Sequence, residues 1–170
     1  MYILEGHTNG IAAATFSPDG SHCLTASWDH TAKVWDVQTG RELFTLIGHT
    51  DQLSGAVFSA DGARILTFGK DQTARVWDAR DGKELLSLEG FNDWVRAALF
   101  SPDGTRLLTG SLSAFDAARV WTVPVWDAQH GRKLFTLTGH TDTVYTAAFS
   151  PNGQRILTGS RDGVARLWNL

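Results

Sequence analysis

One cysteine, four prolines, one methionine and two tyrosines are all that 170 residues supply of those types. A lone Cys23 cannot close an intrachain disulfide, which suits a reducing compartment, so a cytoplasmic protein is expected. The opening residues, MYILEGHTNG, have no basic segment followed by an apolar run, so no signal peptide is read there. No apolar stretch approaches the roughly 20 residues of a membrane-spanning helix, and no membrane partner is expected. Neither a GxxxxGK phosphate loop nor a dinucleotide fingerprint occurs. The six histidines, at 7, 22, 30, 49, 130 and 140, show no metal-ligand spacing, so no metal or other cofactor is expected. Lys and Arg number 15 against 18 Asp and Glu, a formal net charge of −3, which argues against nucleic acid as a partner.

What the chain does have is repetition. FSPDG at 16–20, FSADG at 58–62, FSPDG at 100–104 and FSPNG at 149–153 are nearly one phrase. Gly6, Gly48, Gly90 and Gly139 open successive copies 42, 42 and 49 residues apart, and Trp35, Trp77, Trp126 and Trp168 keep step with them. Inside a copy, IAAATFS at 11–17, HCLTAS at 22–27, AKVWDV at 32–37 and ELFTLIG at 42–48 read as four short strands. The PDG and QTG stretches between them read as tight turns, in which proline presets φ and glycine supplies a positive one. No stretch carries a helical period. The first strand of each copy centres on small residues, Ala13–Ala14, Gly55–Ala56, Ala97–Ala98 and Thr146–Ala147, as expected where strands converge on a crowded axis.

With GHT at 6–8 and 48–50, the recurring SPDG and VWD at 34–36, the chain resembles the WD-repeat β-propeller family along its whole length. The resemblance implies an all-β propeller of four-stranded antiparallel blades, four per chain, with residues 1–170 forming one unit. It also implies that His7, Ser27, Asp29 and Trp35, then His49, Asp71 and Trp77, then His140, Ser160, Asp162 and Trp168 form buried networks inside blades. A catalytic Ser–His–Asp reading of these residues is much the weaker one, because an active site is normally unique and this set recurs. The second copy has Gly69 in place of the serine, so its network is expected to be reduced. The third has Phe91 for the histidine and Ser113 at the aspartate position, so almost none is expected there.

Function should lie where the copies differ. In the family, the loop after GHT and the turn between the second and third strands reach one face. There the variable positions hold Trp28, Lys70, Trp94, Arg96, Tyr145 and Arg161, residue types that dominate interfaces, and a protein or peptide partner is expected. Two other classes are weighed: a hydrolase with its site in the central channel, and a nucleic-acid platform built on Arg96, Arg161 and Lys70. The third copy also carries an insertion, LSAFDAARVWTVPVWD at 112–127, with two imperfect third strands, ARVW and VPVW. Downstream register favours VPVW, whereas Pro124 disfavours it. Finally, MYIL aligns with LFTL at 43–46, so residues 1–4 are expected to supply the outer strand of a last blade. Four blades alone would need wedges of about 90°, against roughly 45–50° for seven or eight, so a homodimeric eight-bladed ring is expected.

Overall fold

A computed structural model describes residues 1–91, 93–111 and 121–170, with Ser111 and Trp121 in backbone only. All regular structure among them is β. Strands β1 (Ile11–Phe16), β2 (His22–Ser27), β3 (Ala32–Asp36) and β4 (Glu42–Leu46) form the first antiparallel sheet in sequence order. Strands β5 (Leu53–Phe58), β6 (Arg64–Gly69), β7 (Ala74–Asp78) and β8 (Glu84–Leu88) form the second. The third holds β9 (Val95–Phe100), β10 (Arg106–Ser111), β11 (Trp121–Asp127) and β12 (Lys133–His140). The fourth has three strands, β13 (Val144–Phe149), β14 (Arg155–Ser160) and β15 (Ala165–Asn169).

The repeated FSPDG-like phrase makes the turn from first to second strand. Ser17 Oγ donates to Asp19 Oδ1 at 2.5 Å, and the same carboxylate oxygen accepts the Ser21 amide at 3.0 Å. Gly20 follows at φ 71°, a left-handed conformation that glycine adopts without Cβ strain. The arrangement recurs with Asp61 and Asp103, and in the fourth sheet Asn152 takes the acceptor's place. Hydrogen bonds from Ser17 and Ser21 hold the Asp19 carboxyl well below the usual carboxylate range.

Because strand side chains alternate, each blade shows an apolar set to both neighbours. Ile65 packs back onto the first blade with Leu24, Ala26, Val34 and Leu46. Leu66 packs forward onto the third with Val95, Ala98, Leu107 and Trp126. A further cluster joins the third blade, through Leu108, Val123 and Val125, to Ile156 of the fourth. Polar contacts reinforce one junction, where Arg64 Nη2 donates to Gly104 O at 2.6 Å and Arg64 Nη1 to Ala128 O at 3.2 Å.

Three core clusters thus join four blades in sequence, and among the described residues none joins the fourth blade to the first. The repeat supplies its own internal control. Leu66 and Val76 are 0% exposed, while Leu157 and Leu167 at the same positions of the fourth blade are 49% and 61% exposed. On the opposite end Ile11 is exposed, whereas its counterparts Leu53 and Val95 are buried. Within the single chain, residues 1–4 do not pair with β15. Tyr2 instead donates its hydroxyl to Gln38 O of the first blade at 2.7 Å. The open edge also redirects a cation. Lys33 and Arg75 reach outward to Glu42 and Glu84 on their fourth strands, but Arg166 turns inward to Asp162 Oδ2 at 3.0 Å.

In the third blade, VPVW is the strand and Trp126 the residue in register, paired with Leu107. Pro124 is tolerated because β10 and β11 stop pairing at Leu108–Val125; beyond that point, among the described residues, β11 pairs with β12 alone, through Pro124–Thr136. Residues 112–120 of the insertion, with Ser113 and Phe115, lie outside the described residues. Truncating a junction residue should be costly: Leu66→Ala is expected to lower unfolding free energy by about 2–5 kcal/mol in urea denaturation, since the rigid blade on either side cannot close the cavity.

Candidate partner-binding face

In the first, second and fourth blades the loops of the candidate face rest on a hydrogen-bond chain. Trp35 Nε1 donates to Thr25 Oγ1 at 2.9 Å, and that hydroxyl lies 2.8 Å from His7 Nε2. Asp29 Oδ2 can only accept, so His7 Nδ1 donates to it at 2.7 Å, and in the neutral imidazole Nε2 is left to accept from the Thr25 hydroxyl. Asp29 in turn accepts the Thr8 amide, tying the GHT loop to the β2–β3 turn. The same contacts link Trp77, Thr67, His49 and Asp71, and Trp168, Thr158, His140 and Asp162, where Arg166 Nη1 also lies 2.6 Å from His140 Nδ1.

The bridging hydroxyl is thus a threonine two residues before the serine position, so the second blade keeps the Trp–Thr–His–Asp contacts and lacks only those of the serine. Ser27 and Ser160 do something else: each donates to a carbonyl of the loop above, Asn9 O at 3.2 Å and Asp142 O at 2.8 Å. In the second blade that loop occupies the serine's space, and a Cβ at Gly69 would stand 2.5 Å from Gln52 O. The threonine had a signal that the sequence reading missed. It is a polar residue repeated at 25, 67, 109 and 158 inside otherwise apolar strands. In the third blade Trp126 still donates to Thr109, and Phe91 replaces the imidazole with a ring contact, centroids 5.3 Å from Trp126.

The hydroxyl that faces His7, His49 and His140 is a threonine's, buried inside the blade and held by an indole N–H, so these sets present no hydroxyl to the surface. Ser21 Oγ does lie 2.7 Å from His22 Nδ1, but in an exposed turn where Asp19 holds the serine rather than the imidazole. A cleft of about 430 Å³ along the inner strands is lined by apolar residues such as Val57, Phe58, Leu99, Phe100 and Phe149, with Ser101 its polar side chain.

Burial pushes the Asp71 carboxyl up, but hydrogen bonds from His49, the Thr50 amide and Thr73 outweigh it and hold the group at about 2. Asp29 and Asp162 are held low by the same kinds of donors against the same burial.

Above these networks the two loop sets meet through matching backbone bonds, Trp28 N to Gly10 O, Lys70 N to Gln52 O and Arg161 N to Thr143 O, at 2.8–2.9 Å. Trp28 lies flat over Gly10, where a Cβ would stand 2.9 Å from the indole. Four of the six singled-out residues, Trp28, Lys70, Trp94 and Arg96, line one cleft of about 450 Å³ together with Ile11, Gln52, Leu53 and Ser54. Lys70 Nζ sits 4.2 Å, and Arg96 Cζ 5.0 Å, from the centroid of the Trp94 ring. Tyr145 and Arg161 are not part of this cleft. Tyr145 is exposed on the fourth blade, and Arg161 Nε lies 4.0 Å from Asp142. Ile11 and Leu53, absent from the residues singled out in the sequence, are also part of the wall.

Comparison with known proteins agrees with this architecture. The chain matches the family described as WD domain, G-beta repeat, over residues 1–36, 40–78, 82–115 and 131–169. It is similar to Cross-pathway control WD-repeat protein 2 of Flammulina velutipes, 45% identical over 38 residues, which are 22% of this chain and 12% of that protein. It is similar to the Ribosome biogenesis protein WDR12 homolog of Brugia malayi, 40% identical over 47 residues, 27% of this chain and 11% of the relative. It also resembles the Small ribosomal subunit protein RACK1 of Candida albicans, 44% identical over 36 residues, 21% of this chain and 11% of the relative. Each match therefore spans about a tenth of the relative's length.

Two measurements check the network. Amide exchange should be slower in β6 than in β10, since both lie in interior blades and only the second has the His–Asp arm. Stability should also be fully present above the ordinary carboxylate value of about 3.9 and fall as pH drops toward 2, because the folded-state carboxyls are held low. Asp71→Asn should flatten that acid slope in urea titrations and cost about 1–3 kcal/mol at neutral pH.

Proposed function

This chain belongs to the WD-repeat family, and from that premise we propose that it is a non-catalytic scaffold presenting its loop-bearing face to a protein or peptide partner. The cleft of Trp28, Lys70, Trp94 and Arg96 carries the reading. It sets two indoles and two cations where the loop sets of successive blades meet. Residues of these types supply most of the energy at protein interfaces. Tyr145 and Arg161 extend the same rim on the fourth blade. Two relatives bear names that tie them to the ribosome, but the matched segments are too small a share of those proteins for their partners to be carried across. A hydrolase is disfavoured by the apolar lining of the inner-strand cleft, and a nucleic-acid platform by the net charge of −3. We place the protein in the cytoplasm on the strength of its single cysteine.

We further propose that two copies complete one eight-bladed ring. The forward face of the fourth blade, with Leu157 and Leu167, and the backward face of the first, with Ile11, have the composition of surfaces that are buried at the inner junctions. In such a ring residues 1–4 of one copy would add the missing strand beside β15 of the other. Met1, Tyr2, Ile3 and Leu4 are all exposed in the single chain. Cys23 lies at the position of Ile65 and Ile156, which pack back onto the preceding blade. It is only partly buried, and burial raises its thiol.

Light scattering should therefore give twice the 18.6 kDa of one chain, and Leu167→Glu should return the single mass. Cys23 should be alkylated faster in that variant than in the parent. A stable monomeric parent with equally reactive Cys23 would rule out the two-chain ring. For the face itself, Trp28→Ala with Trp94→Ala should abolish partner capture by a folded protein, and unchanged capture would move the site elsewhere.

A further inference from the structure

We infer that the Trp28–Trp94 cleft selects a peptide segment in which a carboxylate side chain sits beside an apolar one. This rests on the reading of the rim as a partner face and adds the chemistry of what it takes. The charged residues lining the cleft are Lys70 and Arg96, both cationic, on a chain whose net charge is −3. Some other cations are neutralised within the fold: Lys33 by Glu42, Arg75 by Glu84, Arg166 by Asp162. Among the described residues neither Lys70 nor Arg96 has a carboxylate within ion-pair distance. What holds them is the Trp94 ring, at 4.2 and 5.0 Å.

Two like charges gathered on one ring repel each other, and an anion between them removes that repulsion. Because the ring already restrains both side chains, less rotamer freedom is lost when the anion arrives. The apolar half of the cleft is equally specific. Trp28 is 47% exposed and faces the same space as Ile11 and Leu53. The combination is particular to this junction. The positions equivalent to Arg96 hold Ala12, Ser54 and Tyr145 in the other blades, and the position equivalent to Lys70 holds Trp28 in the first.

A peptide fits better than a nucleic-acid strand. A strand needs cations continuing along its phosphates. Among the described residues the next one on the rim, Arg161, belongs to the fourth blade and already faces Asp142.

The test is fluorescence anisotropy on the full chain with three labelled probes. These are an octapeptide alternating Asp or Glu with Phe, the same peptide with Asn and Gln, and an oligothymidylate. The acidic peptide should bind at least about tenfold more tightly than its amide counterpart, and added salt should narrow the gap. K70Q/R96Q should erase the preference, while Trp28→Ala should weaken both peptides. Equal binding of the two peptides, or no binding of either, overturns the inference. So does an oligothymidylate bound more tightly than the acidic peptide and released by K70Q/R96Q. The partner-face reading fails on a different result, capture unaffected by loss of Trp28 and Trp94, so the two failures are distinguishable.

Discussion

Ile65 packs back onto the first blade, and Leu66, the next residue along the same strand, packs forward onto the third. That alternation is the constraint on which the other features depend. A small sheet with apolar side chains on both faces cannot cover itself, so each blade is stable only between two others. The repeat spacing, the small residues of the inner strands and the Arg64 contacts across the second junction all serve to set one sheet against the next. The same constraint explains the exposed ends of the arc. Leu157 and Leu167 are not unusual residues; they are ordinary junction residues without a junction.

Inside each blade a second system does what apolar packing cannot. The loops of the rim need fixed positions, yet they are polar and largely solvated. The Trp–Thr–His–Asp chain carries order outward from the buried indole to the Thr8, Thr50 and Thr141 amides of the loops. Every buried donor and acceptor in it has a partner, which is what makes so polar a set tolerable in a core. Both ring nitrogens of each histidine are engaged inside the blade. The rim residues are thereby left free to differ from blade to blade, and the Trp28–Trp94 cleft is one product of that freedom.

Much of this was legible in the sequence. The four phrases at 16–20, 58–62, 100–104 and 149–153 mark turns whose side-chain bonds are local, and local bonds follow from local residues. The strands of each copy could be read from period and alignment alone. The network was read less well. The serine looked like the hydroxyl of the set because it recurs near the aspartate, but the threonine two residues earlier points to the same side as the indole. Only the pairing of β2 with β3 reveals that, since it brings Thr25 and Trp35 together from positions ten residues apart.

The sequence by itself determined the blade: its four-strand order, its turns, and which side chains face a neighbour, because these depend on residues within about 40 positions of one another. The tertiary structure decided what the blades do to each other. It accepted Pro124 in β11 by ending the ladder to β10 beside it, and it sent Arg166 inward for want of a fourth strand. It gathered Trp28, Lys70, Trp94 and Arg96 from three blades while leaving Tyr145 and Arg161 outside. Those outcomes turn on the angle and spacing between sheets, which no single repeat encodes.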